Sequence, residues 1–141
     1  MTDENALTAS QMERLRAALE QVPFAKLLKI ELVTARLGSA VLRFPITENL
    51  RQINGVVHGG AIASLIDSAT AFAIVPLVAI DEKFTTIDLS ISYLRPLTQG
   101  VALAEARVLR CGRRIISVAA EVKDDAGKLA ATALSSYLRL G

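Results

Sequence analysis

Cysteine and histidine, which form disulfides and most zinc sites, are almost absent from this chain. Its 141 residues include one cysteine, Cys111, and one histidine, His58. A single cysteine excludes an internal disulfide framework and a cysteine-based zinc cluster, and it fits a reducing compartment. A lone histidine does not make a zinc site, so we expect no metal.

An excess of charge of either sign is also missing. Sixteen basic and fourteen acidic residues leave a formal net charge of +2, which is too balanced for a general nucleic-acid-binding protein. Residues 1–5 are acidic where a signal peptide would be basic. The uncharged run 68–80 is interrupted by Pro76 and is shorter than the ~20 residues of a membrane span. We therefore expect a cytoplasmic protein with no nucleic-acid partner and no membrane partner.

Apolar residues are plentiful by contrast, at 52% of the chain. This share exceeds that of an average globular protein, and a chain of this length fits one domain. We therefore expect a single domain over residues 1–141, with apolar surface left over for a partner copy.

The N-terminal residues 1–28 are predicted to be a helical lead-in to this domain. Thr8 or Ser10 can cap an amphipathic helix over residues 11–21, and Pro23 ends it. Six runs with the composition and turn signals of β-strands follow. They cover residues 29–36, 40–46, 85–94, 101–110, 113–123 and 128–138.

The third run alternates strictly, with Ile87, Leu89, Ile91 and Tyr93 on the face that we expect in the core. Before it, a long loop over 47–57 leads to a helix predicted over 59–78, which is apolar nearly all round and hence typical of a buried helix. Short turns between the last strands favour antiparallel neighbours. The prediction is an α+β protein of the hotdog architecture, in which a five- or six-stranded antiparallel sheet wraps one long central helix.

The start of this helix and its one carboxylate carry the chemistry. Gly59 and Gly60 allow close approach to a helix start, where the first backbone N–H groups have no partner inside the helix. Asp67 follows among apolar residues, where an unpaired carboxylate costs several kcal/mol. We expect its pKa to be raised, which favours a general base for water, although direct attack to give an anhydride stays open.

The spacing of these two groups predicts a shared site. At about 1.5 Å per residue, Gly59 and Asp67 lie roughly 12 Å apart on one helix, whereas groups that act on one carbonyl lie about 3 Å from it. Two copies related by a two-fold axis would bring Gly59 of one subunit to Asp67 of the other. We expect a homodimer with shared sites, which assembles further as a dimer of dimers; the sequence does not decide between dimer and tetramer.

Several motifs together resemble one enzyme family. They are Gly55, the tripeptide His58-Gly59-Gly60 with an acid nine residues after the histidine, the apolar helix, and Tyr93-Leu94-Arg95-Pro96. From about residue 24 to the end, the chain resembles the hotdog-fold acyl-CoA thioesterases of the phenylacetic-acid-degradation branch.

The resemblance implies roles for individual residues. Asp67 would be the general base or nucleophile, and the N–H of Gly59 would polarise the thioester carbonyl. Gln52 would position the water or the carbonyl, but many relatives have Asn there, so Asn54 stays open as the positioning amide. Thr86 would contact the acid or the water.

Other candidates surround these groups. His58 either shapes the loop and the oxyanion donor or acts directly in the chemistry. Gly60 and Ser64 on the first turns of the helix are candidate substrate contacts. Arginines beside two turns can bind the phosphates of coenzyme A on one rim of the sheet. They are Arg95, Arg110, Arg113 and Arg114, with Gly112 in the second turn.

The leading hypothesis is hydrolysis of an acyl-CoA thioester to the free acid and CoA, without a metal or redox cofactor. Ala63, Ala71 and Ala73 leave room for a pocket beside Phe72, which favours an aryl or medium-chain acyl group. A hotdog hydratase or dehydratase is one alternative, although it generally needs a histidine placed for proton transfer on the acyl chain. A non-catalytic acyl-CoA-binding protein is the other.

Overall fold

Residues 3–141 of the computed structural model form three α-helices and one six-stranded sheet, whereas Met1 and Thr2, at the start of the acidic N-terminal stretch, lie outside the described residues. The helices are α1 (Ala9–Glu20), α2 (Pro23–Leu28) and α3 (Gly59–Ile74). The strands are β1 (Glu31–Arg36), β2 (Ser39–Pro45), β3 (Phe84–Tyr93), β4 (Val101–Cys111), β5 (Ile115–Lys123) and β6 (Leu129–Arg139). The order in the sheet is β1-β2-β4-β5-β6-β3, and every neighbouring pair is antiparallel.

Helix α3 lies against the middle of this sheet. It packs mainly on β2, β4 and β5, where the inward positions of β4 are the buried alanines Ala102, Ala104 and Ala106. Small side chains at these positions allow a helix to approach the strands closely, while larger residues such as Phe44 and Ile116 fill the space on either side. The predicted hotdog architecture is confirmed.

The cap of α1 is one of those predicted, whereas Pro23 and Pro76 act differently from the sequence prediction. Thr8 caps α1 in a capping box with Gln11, as one of the two predicted alternatives. Pro23 does not only follow α1 but also begins α2, where its missing N–H has no cost at the first helical position. Helix α3 ends at Ile74 rather than residue 78, and a 3₁₀ turn over Val75–Leu77 follows because Pro76 cannot continue the α-helical hydrogen bonds.

Strand β3 forms an edge of the sheet and lies along α3 in the opposite direction. A bulge between Thr86 and Asp88 shifts the pairing with β6, so the predicted strict alternation is wrong. Leu89 and Ile91 pack against the core, but Ile87 and Tyr93 are each 52% exposed. The same shift places Thr86 on the inner side, where it becomes available to α3.

One helical segment, Gly59–Leu77, is long and apolar enough to cross a membrane by length and composition alone, with a mean hydropathy of 1.6. Half of this segment is buried inside the protein. Its apolar composition is explained by its place against the sheet.

Candidate active site

The N-terminus of α3 leaves one backbone donor free. His58 is the N-cap, and its Nδ1 accepts the N–H of Gly60 at 2.8 Å, which requires a neutral imidazole with its proton on Nε2. The carbonyl of His58 accepts the N–H groups of Ala61 and Ile62 at 2.9 and 3.4 Å. Within residues 3–141, Gly59 is therefore the only one of the first four helix residues whose N–H has no acceptor. His58 therefore caps the N–H of Gly60 and leaves the N–H of Gly59 free for a substrate.

Tyr93, the last residue of β3, contacts the start of α3. Its hydroxyl donates to the carbonyl of Gly59 at 2.8 Å, and a Cβ on Gly59 would lie 3.3 Å from the Tyr93 ring. Sequence reasoning placed Tyr93 in the core, but its ring instead lies half-exposed over the helix start. A side chain at residue 59 would therefore press on the Tyr93 ring, which would have to shift by a few tenths of an ångström.

Asp67 is held by hydroxyls from the sheet. Its Oδ1 accepts a hydrogen bond from Thr86 Oγ1 at 2.8 Å, and the Tyr137 hydroxyl lies 3.3 Å from the same oxygen. Its Oδ2 has no hydrogen-bond partner in the described residues. The side chain is half-buried in a single chain rather than enclosed by apolar groups as the sequence implied. The predicted contact between Thr86 and the acid is present.

Tyr137 joins Asp67 to the core. It is 2% exposed, and its hydroxyl lies 2.6 Å from Thr70 Oγ1 and 3.0 Å from the Asp67 carbonyl. Burial raises the pKa of Tyr137 to about 12, helped by the nearby Asp67 carboxylate, although the hydrogen bonds of Thr70 and Thr86 act in the other direction. The phenol therefore keeps its proton at neutral pH and serves as a donor.

The free donor and the carboxylate lie on one uninterrupted helix. Gly59 and Asp67 both fall within α3, so their separation in one chain is about 12 Å along the axis. No single chain can place both on one carbonyl group.

The other candidates lie in the turn before α3 and on its first turns, and within residues 3–141 none of them has a hydrogen bond to the Asp67 side chain. Gln52 and Asn54 are exposed in a tight turn in which the N–H of Gly55 donates to the Gln52 carbonyl at 3.0 Å. The bridge between Arg51 and Val57 ties this turn to α3. Gly60 contributes its N–H to the cap and its carbonyl to the hydroxyl of Ser64, at 2.8 Å, so both backbone groups are engaged.

The predicted basic rim is divided within one chain. Arg110, Gly112, Arg113 and Arg114 line a surface pocket of about 270 Å³ at the turn between β4 and β5. Arg95 lies two residues after Tyr93, the last residue of β3, which pairs with Ala131 near the start of β6 at the opposite end of the sheet. Nine residue steps along β3 separate the two ends by about 30 Å. The prediction that one chain brings all four arginines to one rim is wrong, because β3 runs the full length of the sheet between them.

A further arginine at this end already has a partner. Arg139 donates to both carboxylate oxygens of Glu82, at 2.5 and 2.7 Å, and to the carbonyl of Gly112 at 3.0 Å. The guanidinium holds the pKa of Glu82 below its usual value. Arg139 thus fixes the β4–β5 turn, while Arg113 and Arg114 remain exposed beside it.

Two of the four residues that we expected around an acyl pocket lie in the core of the single chain instead. Ala73 is fully buried and Phe72 is 8% exposed, because both pack in the core. Ala63 and Ala71 are half-buried on other sides of α3. Alanine at residue 73 therefore allows close packing of the helix rather than leaving free space, whereas Ala63 and Ala71 stay candidates for a pocket wall.

Known proteins match this chain in sequence and structure. The profile of the family described as "Thioesterase superfamily" matches residues 54–131, which include Gly59, Asp67 and Thr86. The chain belongs to this superfamily. It is a thioester hydrolase of hotdog fold.

Three relatives show how far the likeness extends. Acyl-coenzyme A thioesterase 13 of Homo sapiens is 27% identical over 129 residues, covering 89% of this chain and 91% of the human protein. The PaaI protein from the phenylacetic acid degradation operon of E. coli is 26% identical, with a TM-score of 0.85 over 94% of each chain. Protein PA5202 from Pseudomonas aeruginosa is 30% identical, with a TM-score of 0.81 over 95% of this chain and 100% of its own. The predicted resemblance to the phenylacetic-acid-degradation branch is confirmed.

Sequence reasoning missed Tyr137 as a residue of the site. It follows Ala131, Ala133 and Ser135 in the inward phase of β6, and it lies beyond the matched residues 54–131. The signal was its position, since a tyrosine on the inner face of a strand needs a hydrogen-bond partner in the core.

Proposed function

We propose that this thioesterase hydrolyses acyl-CoA thioesters, with Gly59 and Asp67 of different subunits acting on one substrate. The observation that carries the proposal is that α3 has one free N–H at its start and one carboxylate oxygen without a partner in its middle. These are the two groups that thioester hydrolysis needs: a donor for the developing oxyanion and an acceptor for the proton of water.

The edge strand β3 supports a way to bring the two groups together. Its outer edge has no strand partner among residues 3–141, and Ile87 and Tyr93 are exposed on it. Antiparallel pairing of two β3 strands would continue the sheet across a two-fold axis. Because Gly59 lies beside Tyr93 and Asp67 beside Thr86, such pairing would bring the Gly59 end of one chain to the Asp67 end of the other.

In this arrangement the reaction proceeds in two steps. The thioester carbonyl oxygen accepts the N–H of Gly59, and Asp67 takes a proton from the attacking water. The tetrahedral oxyanion then collapses, the carbon–sulfur bond breaks, and CoA leaves with the proton returned to its sulfur. Direct attack by Asp67, with an anhydride that water then cleaves, uses the same two groups.

The same pairing would also reunite the arginines. It would bring Arg95 of one subunit to the sheet end that carries Arg110, Arg113 and Arg114 of the other. Exposed guanidinium groups bind phosphate through paired N–H donors, which fits the phosphates of coenzyme A. Gln52 or Asn54, in the turn before α3, is the amide that would position the water or carbonyl.

The acyl group, oligomer and location are the finer parts of the proposal. We propose an aryl or medium-chain acyl group, and the likeness to the PaaI protein of the E. coli phenylacetic acid degradation operon supports the aryl alternative. We further propose a dimer of dimers and a cytoplasmic location.

Release of free CoA from a panel of aryl and aliphatic acyl-CoAs, detected with a thiol reagent, tests the activity. We expect turnover of at least one of these substrates, and loss of that turnover in Asp67→Asn. Single turnover in ¹⁸O-labelled water tests for an anhydride that water opens at the aspartyl carbonyl, because attack of water on the thioester, or on the acyl carbonyl of an anhydride, labels the released acid. An anhydride opened at the aspartyl carbonyl labels Asp67 instead.

A further inference from the structure

We propose that Tyr137 is a positioning residue of the active site, which together with Thr86 holds Oδ1 of Asp67 so that Oδ2 is the oxygen that reacts. This inference rests on the proposed role of Asp67. It assigns a task to a residue that lies 70 positions further along the chain.

The two oxygens of the Asp67 carboxylate have different surroundings. The hydroxyls of Thr86 and Tyr137 both approach Oδ1, at 2.8 and 3.3 Å, and no side chain among residues 3–141 approaches Oδ2 within hydrogen-bond distance. Two donors on one oxygen fix the plane of a carboxylate and leave its other oxygen directed away from them. A base that must meet a water molecule in one geometry gains from this restraint.

The fold holds both donors, Thr86 and Tyr137, in place. Thr86 and Tyr137 are register partners on the neighbouring strands β3 and β6, so backbone hydrogen bonds of the sheet set their spacing. The ring of Phe84 packs edge-on against the Tyr137 ring, with centroids 5.6 Å apart. Thr70 contacts the phenol oxygen from α3. The donor is therefore fixed from the sheet and from the helix.

The hydroxyl proton of Tyr137 is available to Asp67. Because burial raises the pKa of Tyr137 to about 12, the phenol keeps its proton and is a donor at neutral pH. Its one proton has three acceptors in reach: Asp67 Oδ1, the Asp67 carbonyl and Thr70 Oγ1. A charged carboxylate is the strongest of these acceptors.

Within residues 3–141, few charged groups face Asp67 from the elements packed around it. The buried side chains of β1, β2, β4 and β5 are all apolar. On β3, Asp88 is exposed and pairs with Ser136 in the outward phase of β6. On β6, Arg139 is paired with Glu82. In the proposed dimer the partner's His58 is added, and it is the same in every variant below.

The test is the pH profile of kcat/KM for Tyr137→Phe. Loss of a donor to the charged carboxylate should raise the acid limb by about one pH unit and lower kcat by about 10-fold, with KM within about two-fold. A phenol that only supports packing would alter stability without moving the limb. An unmoved limb with kcat within two-fold of the parent would overturn the proposal.

Thr70→Val is the matched control. It removes a buried hydroxyl from the same network, but one that does not contact the Asp67 carboxylate. The phenol proton is then left to Asp67, so the acid limb should stay in place or move to lower pH. An upward shift equal to that of Tyr137→Phe would assign the effect to the network as a whole and contradict the proposal.

A second measurement decides the matter if Tyr137→Phe does not fold. A fluorinated tyrosine inserted at residue 137 keeps the shape of the ring and strengthens its hydroxyl as a donor. The acid limb should then move to lower pH, and an unchanged limb would refute the role. Asp67→Asn separates this failure from that of the proposed function: if that variant stays active, Asp67 itself is not the base.

Discussion

The two halves of the active site lie on one helix but are built in different ways. At the start of α3 the functional group is a backbone N–H, left free because His58 caps Gly60 and not Gly59. Eight residues later the functional group is a side chain, whose oxygen is held by hydroxyls from β3 and β6. The first half depends on a local motif of three residues, and the second depends on the fold of the whole sheet.

This difference determines how the two halves respond to substitution. A backbone donor cannot be removed by changing a side chain, so it is disturbed only by blocking access or by moving the helix start. The carboxylate can be neutralised, released from its hydroxyls or separated from its substrate, each with a graded effect.

The largest effect is expected at the carboxylate itself. Asp67→Asn keeps the volume of the side chain but removes its proton acceptor, so kcat should fall by at least about 100-fold. Circular dichroism should show that the fold is retained. Asp88→Asn, an exposed aspartate on β3, is the matched control and should retain full activity; activity of Asp67→Asn within a few-fold of the parent would exclude Asp67 as the base.

The second effect concerns stability at alkaline pH. The pKa of Tyr137 is about 12 in the folded protein, against 10.0 as the ordinary value, so the unfolded chain loses this proton first. The protonated phenol of Tyr137 contributes its full stabilisation of the fold below pH 10, and this contribution is lost as the pH rises toward 12. Between pH 9 and 11.5, the free energy of unfolding should fall by about 2 kcal/mol more in the parent than in Tyr137→Phe. Urea titrations measure this, and equal decreases in the two proteins would show that the phenol titrates normally.

The third effect is the release of the carboxylate from β3. Thr86→Val keeps the shape of the side chain and removes the donor to Oδ1, so kcat should fall by about 10-fold while KM changes little. Thr86→Ser should restore most of the activity because it returns the hydroxyl. Thr85→Val changes an exposed neighbour, and an equal loss in that control would point to a general disturbance of β3.

The smallest effect is expected at the basic turn. Arg113→Gln with Arg114→Gln should raise KM for an acyl-CoA by about three- to ten-fold, and should leave KM for an acyl thioester without the nucleotide unchanged. Arg14→Gln with Lys26→Gln, at two exposed positions of α1 and α2, is the control for net charge. Equal changes for both substrates would mean that these arginines do not bind the phosphates.

The same contrast explains what the sequence could predict. The buried helix, the strand pattern and the helix start at Gly59 depend on local periodicity and on a short motif, and these predictions are confirmed. The pairing of Thr86 with Tyr137 depends on a bulge and on strand order, which no local pattern encodes. For the same reason the arginines were misplaced, since turn composition does not reveal which end of the sheet a turn occupies.

Mixing two inactive variants tests whether one active site uses Gly59 of one subunit and Asp67 of the other. Gly59→Val would force a side chain against the Tyr93 ring, and Asp67→Asn removes the base, so each homodimer should be nearly inactive. After reversible dissociation and mixing, each heterodimer has one site with both defects and one site with neither. About half of the dimers in a random mixture are heterodimers, each with half of the normal sites, so about a quarter of the parent activity should return. If native mass spectrometry confirms heterodimers but no activity returns, each site is built within one chain and the active sites are not shared.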